Sequence, residues 1–392
     1  MPPQVAMDAK KPEPCADDTS GAACTAQYNR RMRAKPDRPL RRGWTTGACA
    51  TAATRAAYQA LLTGSFPDPV TITLPKGHTP AFALARQNLD GNSALAGIIK
   101  DAGDDPDVTH LAMIQARVSR APAGSGITFK AGPGVGTVTL PGLPLDVGEP
   151  AINPVPRQLM TEVIESLSVA YRVSADASVE ISVPGGEEMA TRTWNPRLGI
   201  LGGLSILGTT GVVIPYSCAA WIHSIQRGVD VARALDSAHV AGCTGSTSER
   251  VVQAHYGLPD SAMLDMGDFV GGLLKYVRRH PVPWLSIGGG FAKISKLAQG
   301  HLDLHSGRSQ VDLNWLAGVA RDLGGDGELC TRIKAANTAS EALTHCQAAS
   351  IDVGGHVARA ARDQALAMLA GKTKIDVLVI DRSAQLVGHS DA

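Results

Sequence analysis

The chain has 392 residues, of which 44% are hydrophobic, so two domains with sizeable cores are expected. Its formal net charge of +1 excludes a bulk attraction to nucleic acid or to an anionic membrane surface. The 42 glycines and the low aromatic content of 4% favour an α/β architecture with many tight loops. The seven cysteines form no C-x-x-C pair, and the amino terminus lacks the apolar core of a signal peptide. These features predict a reduced, cytoplasmic protein without a zinc site.

Residues 1–36 lack periodicity and are rich in proline and charged residues, which predicts a disordered tail. An α/β domain is predicted for residues 37–192. Its first helix, residues 48–62, follows Thr45-Thr46-Gly47, where either threonine can cap the helix, and Gly64 can end it. Apolar patterning predicts strands at 70–74, 82–87, 95–100, 111–118, 126–131, 138–140 and 179–183, and a helix at 156–171.

Residues 193–392 are predicted to form a second domain. A strand at 212–214 and a helix at 219–235 come first. Strand, small-residue or glycine turn, and helix then recur, with strands at 240–243, 262–266 and 284–287 and a glycine turn at 288–290. This alternation predicts a mostly parallel sheet, and ligands bind at the carboxyl ends of such strands. Thr244 and Gly245 are therefore candidate cofactor ligands. Helices at 313–323, 330–349 and 357–369 and a strand at 375–380 complete the domain.

The most unusual stretch is RLGILGGLSILGTTG, residues 197–211, which we call the glycine-rich stretch. No formal charge occurs between residues 198 and 222, and three interpretations remain open: a strand-to-helix loop that holds an anion or a nucleotide-like cofactor, a membrane-spanning helix, or a buried structural turn. The five glycines and Pro215 weaken the membrane interpretation. The candidate cofactor ligands are Gly202, Gly203, Ser205, Gly208, Thr209, Thr210 and Gly211.

A comparison with the phosphate-binding loop limits the class of ligand that the glycine-rich stretch could hold. The spacing from Gly203 to Gly208 matches that motif, but Thr209 stands where the motif requires lysine. Without the lysine nothing reaches the outer phosphates of a triphosphate. A ligand with an adenosine and a carboxylate is therefore favoured.

Four other clusters carry candidate chemistry. Thr45 and Thr46 precede a helix and could bind an anion. Four aspartates fall within residues 101–107, and among them Asp104 and Asp105 are candidate general bases, although a solvated turn would look the same. Lys293 and Lys296 share a helix face and could meet carboxylates. His301 and His305 have metal-ligand spacing, but flanking glycines favour a loop that contacts substrate, and no metal is predicted.

Seven stretches together resemble the CbiD family: residues 41–53, 101–110, 134–139, 148–157, 195–217, 266–275 and 288–306. The resemblance covers roughly residues 38–385. One departure is Phe291-Ala292-Lys293, where the family is expected to have glycine before the lysine. The resemblance implies a smaller domain that is similar to domain 2 of ribosomal protein S5, followed by a Rossmann-like domain.

The same resemblance implies methyl transfer from S-adenosylmethionine to C1 of cobalt-precorrin-5B, which gives cobalt-precorrin-6A in cobalamin biosynthesis. The tetrapyrrole partner carries carboxylate arms, and the candidates to meet them are Thr45, Thr46, Lys293, Lys296 and Ser306, together with Arg41 and Arg42. Asp104, Asp105, His301 and His305 are the candidate bases. No nucleic-acid or membrane partner is expected, and a homo-oligomer is one expectation. The alternatives are a nucleotide-binding small-molecule kinase and a corrinoid-binding protein without catalysis.

Overall fold

Two five-stranded sheets organise residues 39–391, which are the residues described by the computed structural model. Residues 42–391 form one compact unit, whereas residues 39–41 fall in a separate unit and contain neither helix nor strand. The predicted tail, residues 1–36, lies outside the described residues. Across 39–391, no helix is both long and apolar enough to span a bilayer.

The strands of the described residues are, in chain order, β1 (Gly43–Trp44), β2 (Val70–Thr71), β3 (Ala81–Phe82), β4 (Arg86–Asp90), β5 (Ser93–Ile99), β6 (Met113–Arg120), β7 (Ile127–Ala131), β8 (Gly134–Val135), β9 (Thr137–Val138), β10 (Ala177–Ser182), β11 (Ile200–Leu201), β12 (Gly203–Leu204), β13 (Val212–Val213), β14 (Val240–Cys243), β15 (Met263–Asp265), β16 (Trp284–Gly290), β17 (Lys374–Ile380) and β18 (Leu386–Ser390). The α-helices of the same residues are α1 (Thr46–Thr63), α2 (Pro154–Tyr171), α3 (Gly186–Ala190), α4 (Cys218–Ala234), α5 (Ser246–Tyr256), α6 (Val270–Arg279), α7 (Phe291–Ala298), α8 (Leu313–Asp322), α9 (Gly327–Ala335), α10 (Ala339–Ala348) and α11 (Val353–Leu369). Two short 3-10 helices span Asn195–Leu198 and Asp260–Ala262. The predicted mixed α/β class is confirmed.

The first sheet has the strand order β4-β5-β6-β10-β7 and is antiparallel except for the β10–β7 pair. Helix α1 packs against β5 and β6, and its alanines, such as Ala52 and Ala56, are fully buried there because small side chains permit close approach. The helix begins and ends as predicted. Thr45 Oγ1 accepts a hydrogen bond from Ala48 N at 3.1 Å, and Gly64, at φ 80°, is the C-cap.

The second sheet has the order β15-β14-β16-β17-β18, with β18 antiparallel and the other pairs parallel. From β14 the chain passes through α5 to β15 on one side. Helix α6 then leads to β16 on the other side of β14. The strand order therefore reverses between β14 and β16, and a crevice opens at their carboxyl ends.

Some element predictions are wrong. Gly288, Gly289 and Gly290 end β16 rather than form a turn, and α7 begins directly at Phe291. A Cβ on Gly288 would lie 2.5 Å from Val252 Cγ2, so the strand needs glycine for close packing. The helix predicted at 330–349 is two helices, α9 and α10.

The glycine-rich stretch is not a strand-to-helix loop of the parallel sheet, so that interpretation is wrong. Its strand β11 pairs with β9, β12 pairs with β8, and the following β13 pairs with β1. These partners all come from residues 43–138. The stretch is therefore built into the amino-terminal part of the fold by contacts with residues distant in the sequence.

Candidate functional site

A cavity of about 370 Å³ opens at the point where the strand order of the second sheet reverses. The turn after β14, residues 244–248, forms one wall, and residues 290–293 at the start of α7 form another. Residues 338–340 and 380–382 close the remainder. Helices α5 and α7 both begin at this cavity, so their unpaired backbone N–H groups and positive dipole ends favour an anionic group there.

The backbone is uncovered at both helix starts. Gly245 precedes α5 in an extended conformation, and a Cβ there would meet nothing within 4 Å. At Gly290, which precedes α7, the nearest atom to such a Cβ is Ile380 O at 4.0 Å. A ligand can therefore approach the main chain closely at these two positions.

Lys293 fixes the rim of the cavity. Its Nζ donates to Thr244 O at 2.9 Å and forms an ion pair with Asp268 Oδ1 at 3.1 Å. The lysine thereby ties the turn after β14 to the loop after β15, and it brings a positive charge to the predicted cofactor residues Thr244 and Gly245. The fold thus brings Lys293 next to Thr244 and Gly245, which were predicted separately from the sequence.

Lys296 does not share that rim. Its side chain is buried, and Nζ donates to Leu304 O at 2.9 Å. Burial lowers the pKa of Lys296. The prediction that Lys293 and Lys296 form one positive surface is wrong, because the segment containing Leu304 covers the second lysine. Lys296 instead anchors the segment that carries the predicted histidines.

Carboxylates surround the end of β15. Arg197, from the glycine-rich stretch, forms an ion pair with Glu249 of α5 at 2.5 Å. Burial first, and then the charge of Glu249, raise the pKa of Asp265. The first residue of the glycine-rich stretch therefore reaches the helix that begins at the cavity.

An aromatic cluster lies beside this carboxylate group. Trp221 Nε1, on α4, donates to Asp265 O at 3.1 Å. Its ring packs edge-on to Trp194 at 6.4 Å and tilted to Phe269 at 6.3 Å. Trp221 was not among the residues predicted from the sequence. One feature of the sequence could have identified it: Trp221 lies in the long uncharged run, and the chain has few aromatic residues.

The predicted histidine segment is a loop, as its flanking glycines indicated. His301, His305 and Ser306 are exposed, and His305 Nδ1 accepts a hydrogen bond from Gly307 N at 3.1 Å. Arg308 in this loop pairs with Asp303 and lies 3.6 Å from Cys218 Sγ, at the start of α4. Among residues 39–391, no group of three or more His, Cys, Asp or Glu side chains is arranged to hold a metal.

The aspartate-rich turn, residues 101–107, contacts the chain just before α4. Lys100 is buried and bonds Asp107 at 2.7 Å. Burial alone would raise the pKa of Asp107, but Lys100 and Thr109 hold it below its usual range. Asp105 Oδ1 accepts from Tyr216 N at 2.8 Å, just before α4, and Asp104 is half-buried in the same turn. The turn therefore contacts the segment that leads into the aromatic cluster.

Packing explains several candidates in the glycine-rich stretch. An added Cβ would lie 2.4 Å from the Gly134 backbone at Gly203, and 2.2 Å from Thr45 Oγ1 at Gly208. At Gly211 it would lie 2.6 Å from Leu74 Cδ2. These three glycines permit close approach inside the fold. These three glycines therefore fit the interpretation of the stretch as a buried structural turn, and not the interpretation as a ligand-holding loop.

Hydroxyl groups in this region are also engaged by the protein. Thr46 Oγ1 accepts from Leu207 N at 2.9 Å, and Ser205 Oγ donates to Asn195 Oδ1 at 3.3 Å. Thr210 Oγ1 bonds the backbone of Val212. Gly202 and Thr209, by contrast, are exposed. Only part of the predicted set thus remains open to a ligand.

Comparisons with known proteins agree with one another. The family model described as CbiD matches residues 33–215, and the model described as CbiD, C-terminal domain, matches residues 303–391. A relative from Paramagnetospirillum magneticum, named cobalt-precorrin-5B C(1)-methyltransferase, is 59% identical over 355 residues, covering 90% of this chain and 99% of that protein. Relatives of the same name from a Bradyrhizobium species and from Brucella canis are 58% and 59% identical, covering 90% and 89% of this chain and 94% and 95% of those proteins.

A crystal structure of the cobalamin biosynthesis protein CbiD from Archaeoglobus fulgidus is 28% identical, with a TM-score of 0.37, and the match covers 64% of this chain and 77% of that one. The sequence relatives, which are matched over nearly their whole length, decide the assignment. The chain belongs to the CbiD family.

Proposed function

We propose that this chain transfers a methyl group from S-adenosylmethionine to C1 of cobalt-precorrin-5B, giving cobalt-precorrin-6A in cobalamin biosynthesis. The chain is a methyltransferase, as the relatives compared above are named. The structural observation that carries the proposal is the cavity between the starts of α5 and α7, at the carboxyl edge of the parallel sheet. Its volume of about 370 Å³ falls in the range of small-molecule sites.

The residues around the cavity fit S-adenosylmethionine. Its amino-acid carboxylate suits the N–H groups at the helix starts, near Gly245 and Gly290, and the charge of Lys293. Thr244 and Gly245 are kept as cofactor ligands. From the glycine-rich stretch, Gly202 and Thr209 remain proposed contacts, whereas the buried glycines act through packing.

The bound cofactor would supply a methyl group already activated by a positively charged sulfur. The protein then has to align the donor and the ring carbon and exclude water, and positioning of this kind can supply much of the rate. Lys293 at the rim of the cavity and Arg308 beside the start of α4 are the charges proposed to meet the carboxylates of the substrate.

Asp105 is the proposed base, should a ring proton leave. Its Oδ1 is held by Tyr216 N, which orients the carboxylate and leaves the second oxygen as an acceptor. His305 has a different role. Because Nδ1 accepts from Gly307 N, the proton of the neutral ring lies on Nε2, so His305 acts as a hydrogen-bond donor to substrate. Asp104, His301 and Ser306 stay proposed substrate contacts.

We also propose the two-domain arrangement, with an S5-like domain followed by a Rossmann-like domain. Because β11, β12 and β13 pair with amino-terminal strands, the boundary is proposed near residue 216 instead of 192. The end of one family-model match at residue 215 supports this position. A cytoplasmic location is proposed because the cysteines of the described residues, such as Cys218 and Cys330, are free thiols.

The test incubates the purified chain with cobalt-precorrin-5B and S-adenosylmethionine that carries an isotopically labelled methyl group. Mass spectrometry should show the gain of one labelled methyl on the tetrapyrrole. A parallel incubation with ATP serves as the kinase control. Absence of methyl gain with retained tetrapyrrole binding would support a corrinoid carrier, and ATP consumption would support the kinase. Either result would overturn the proposal.

A further inference from the structure

Exposed apolar side chains concentrate in one segment. In residues 39–391, fourteen large hydrophobic residues are exposed, and five of them fall within residues 201–221. They are Leu201, Leu207, Ile214, Tyr216 and Trp221. Concentrated exposed apolar surface is typical of an interaction site.

Trp221 is held rigidly and yet remains 43% exposed. The hydrogen bond from its indole to Asp265 O and the neighbouring rings of Trp194 and Phe269 fix its orientation. Asp265 ends β15 at the same sheet edge as the cavity. The exposed indole is therefore a preorganised apolar surface beside the proposed cofactor site.

Tyr216 is held through its backbone rather than through its ring. It is 60% exposed, and its φ of 56° lies in the left-handed region, which is uncommon for a residue other than glycine. The bond from its backbone N to Asp105 Oδ1 holds this conformation. No burial accounts for the strained backbone, and such outliers occur often at functional sites.

Positive charge borders this surface. Arg308 contacts Cys218 Sγ, and Cys218 shares a helix face with Trp221 through i, i+3 spacing. The Arg308 side chain is 57% exposed. Lys293 lies on the cavity side, paired with Asp268. An occupant of this surface should therefore combine a flat apolar face with anionic groups at its edge.

We propose that Tyr216 and Trp221 form an aromatic floor on which one face of the corrin ring lies, with Arg308 pairing with a carboxylate at the ring edge. This inference rests on the proposed function, because it places the tetrapyrrole substrate beside the cofactor cavity. A corrin has the required apolar face and anionic edge. Stacking on aromatic side chains tolerates variation in the ring substituents.

The test measures binding without turnover. The probe is cobyrinic acid, a stable cobalt corrin that bears carboxylate side chains, and affinity is measured by equilibrium dialysis. Trp221→Ala and Tyr216→Ala should each raise the Kd at least about tenfold, while Trp221→Phe and Tyr216→Phe stay within about threefold of the wild type. The matched control is Val169→Ala, which removes an exposed apolar side chain from α2 and should leave the Kd unchanged. Thermal unfolding verifies that every variant is folded.

Two further readouts separate the outcomes. Calorimetric binding of S-adenosylmethionine should be unchanged in the alanine variants. If the wild type methylates cobalt-precorrin-5B while both alanine variants bind the probe normally, the aromatic floor is refuted and the proposed function stands. If the wild type neither methylates the substrate nor binds the probe, both are refuted. If sedimentation shows that the alanine changes only dissociate an oligomer, the surface is an interface between copies of the chain, which also overturns the inference.

Discussion

At the scale of single residues, Asp105 combines a structural contact with a proposed proton-accepting role. Asp105→Asn keeps an oxygen that can accept from Tyr216 N but removes the basic carboxylate. We expect kcat for methyl transfer to fall by about 10²-fold or more, since general-base contributions are of that order. The Kd for the cofactor should not change, because the cofactor residues are elsewhere.

Single-turnover kinetics and calorimetry check this expectation. The matched control is Asp90→Asn, which changes an exposed aspartate at the end of β4 and should have no effect. An unchanged kcat in the Asp105 variant would assign Asp105 only the backbone contact. The same experiments on Asp104→Asn would decide between the two neighbouring candidates.

The residues of the site were predictable to different degrees. Thr244, Gly245 and Lys293 follow from the strand-turn-helix pattern, which is local in the sequence. Trp221 depends on Asp265, 44 residues away, and Arg308 on Cys218, 90 residues away. Helical spacing correctly gives a shared face for two lysines, but it contains no information about a loop that covers one of them.

At the scale of elements, the protein should accommodate a side chain at the start of α5, but that side chain should obstruct binding of the ligand. Gly245 is extended, so valine can adopt its backbone conformation, and a Cβ there meets no atom within 4 Å. Gly245→Val should therefore fold normally. The branched side chain would occupy the cavity wall, and we expect the Kd for S-adenosylmethionine to rise at least about tenfold, or about 1.4 kcal/mol.

Isothermal calorimetry measures this Kd, and thermal unfolding measures stability. Gly327→Val makes the same change at the start of α9, where a Cβ is also unobstructed and no cavity wall is affected. Its Kd should equal that of the wild type. Normal affinity in the Gly245 variant would place the cofactor elsewhere, with Gly202 and Thr209 as the next candidates.

Elements with strong local patterns were predicted well, and those fixed by distant pairing were not. Helix α1 was predicted from its alanine run and its two caps, and it is present. Strands β8, β11 and β12 have two residues each, too few for an alternating pattern, and their existence depends on pairing across about 60 to 70 residues. The glycines at 288–290 resemble a turn locally, yet their pairing with β17 makes them strand.

At the scale of the whole molecule, the recurring strand-turn-helix order predicted a parallel sheet, and the sheet is present. The sequence did not predict where the glycine-rich stretch belongs. Its strands pair with β8 and β9, and β13 after it pairs with β1, while Arg197 and Trp194 reach α5 and α4. The segment that follows it, with Tyr216 and Trp221, consequently lies between the aspartate-rich turn and the end of β15, beside the proposed cofactor site.

The second sheet holds one buried charge on which the stability of the whole molecule should depend. Asp376 on β17 is fully buried and accepts from Ser286 Oγ at 2.5 Å, Trp284 Nε1 at 2.8 Å and His389 Nε2 at 2.9 Å, and also from the Tyr256 hydroxyl. Burial alone would raise the pKa of Asp376, but these donors hold it below its usual range.

A depressed carboxylate pKa fixes the sign of the pH effect. The stabilising contribution of Asp376 is fully present above the unfolded pKa of about 3.9, and it is lost as the pH falls through the lower folded pKa. Asp376→Asn should lose about 2–4 kcal/mol of unfolding free energy at pH 7, since the amide cannot accept from all these donors. It should also lose part of the acid dependence.

Urea unfolding at pH 7 and at pH 3 measures both effects, with Asp322→Asn as the control because that carboxylate is exposed on α8. The wild type should lose more unfolding free energy between the two pH values than the Asp376 variant does. Equal losses in both proteins would contradict the assignment and would place the acid sensitivity at other carboxylates with a lowered pKa, of which Asp107, paired with Lys100 beside the first sheet, is the next to test.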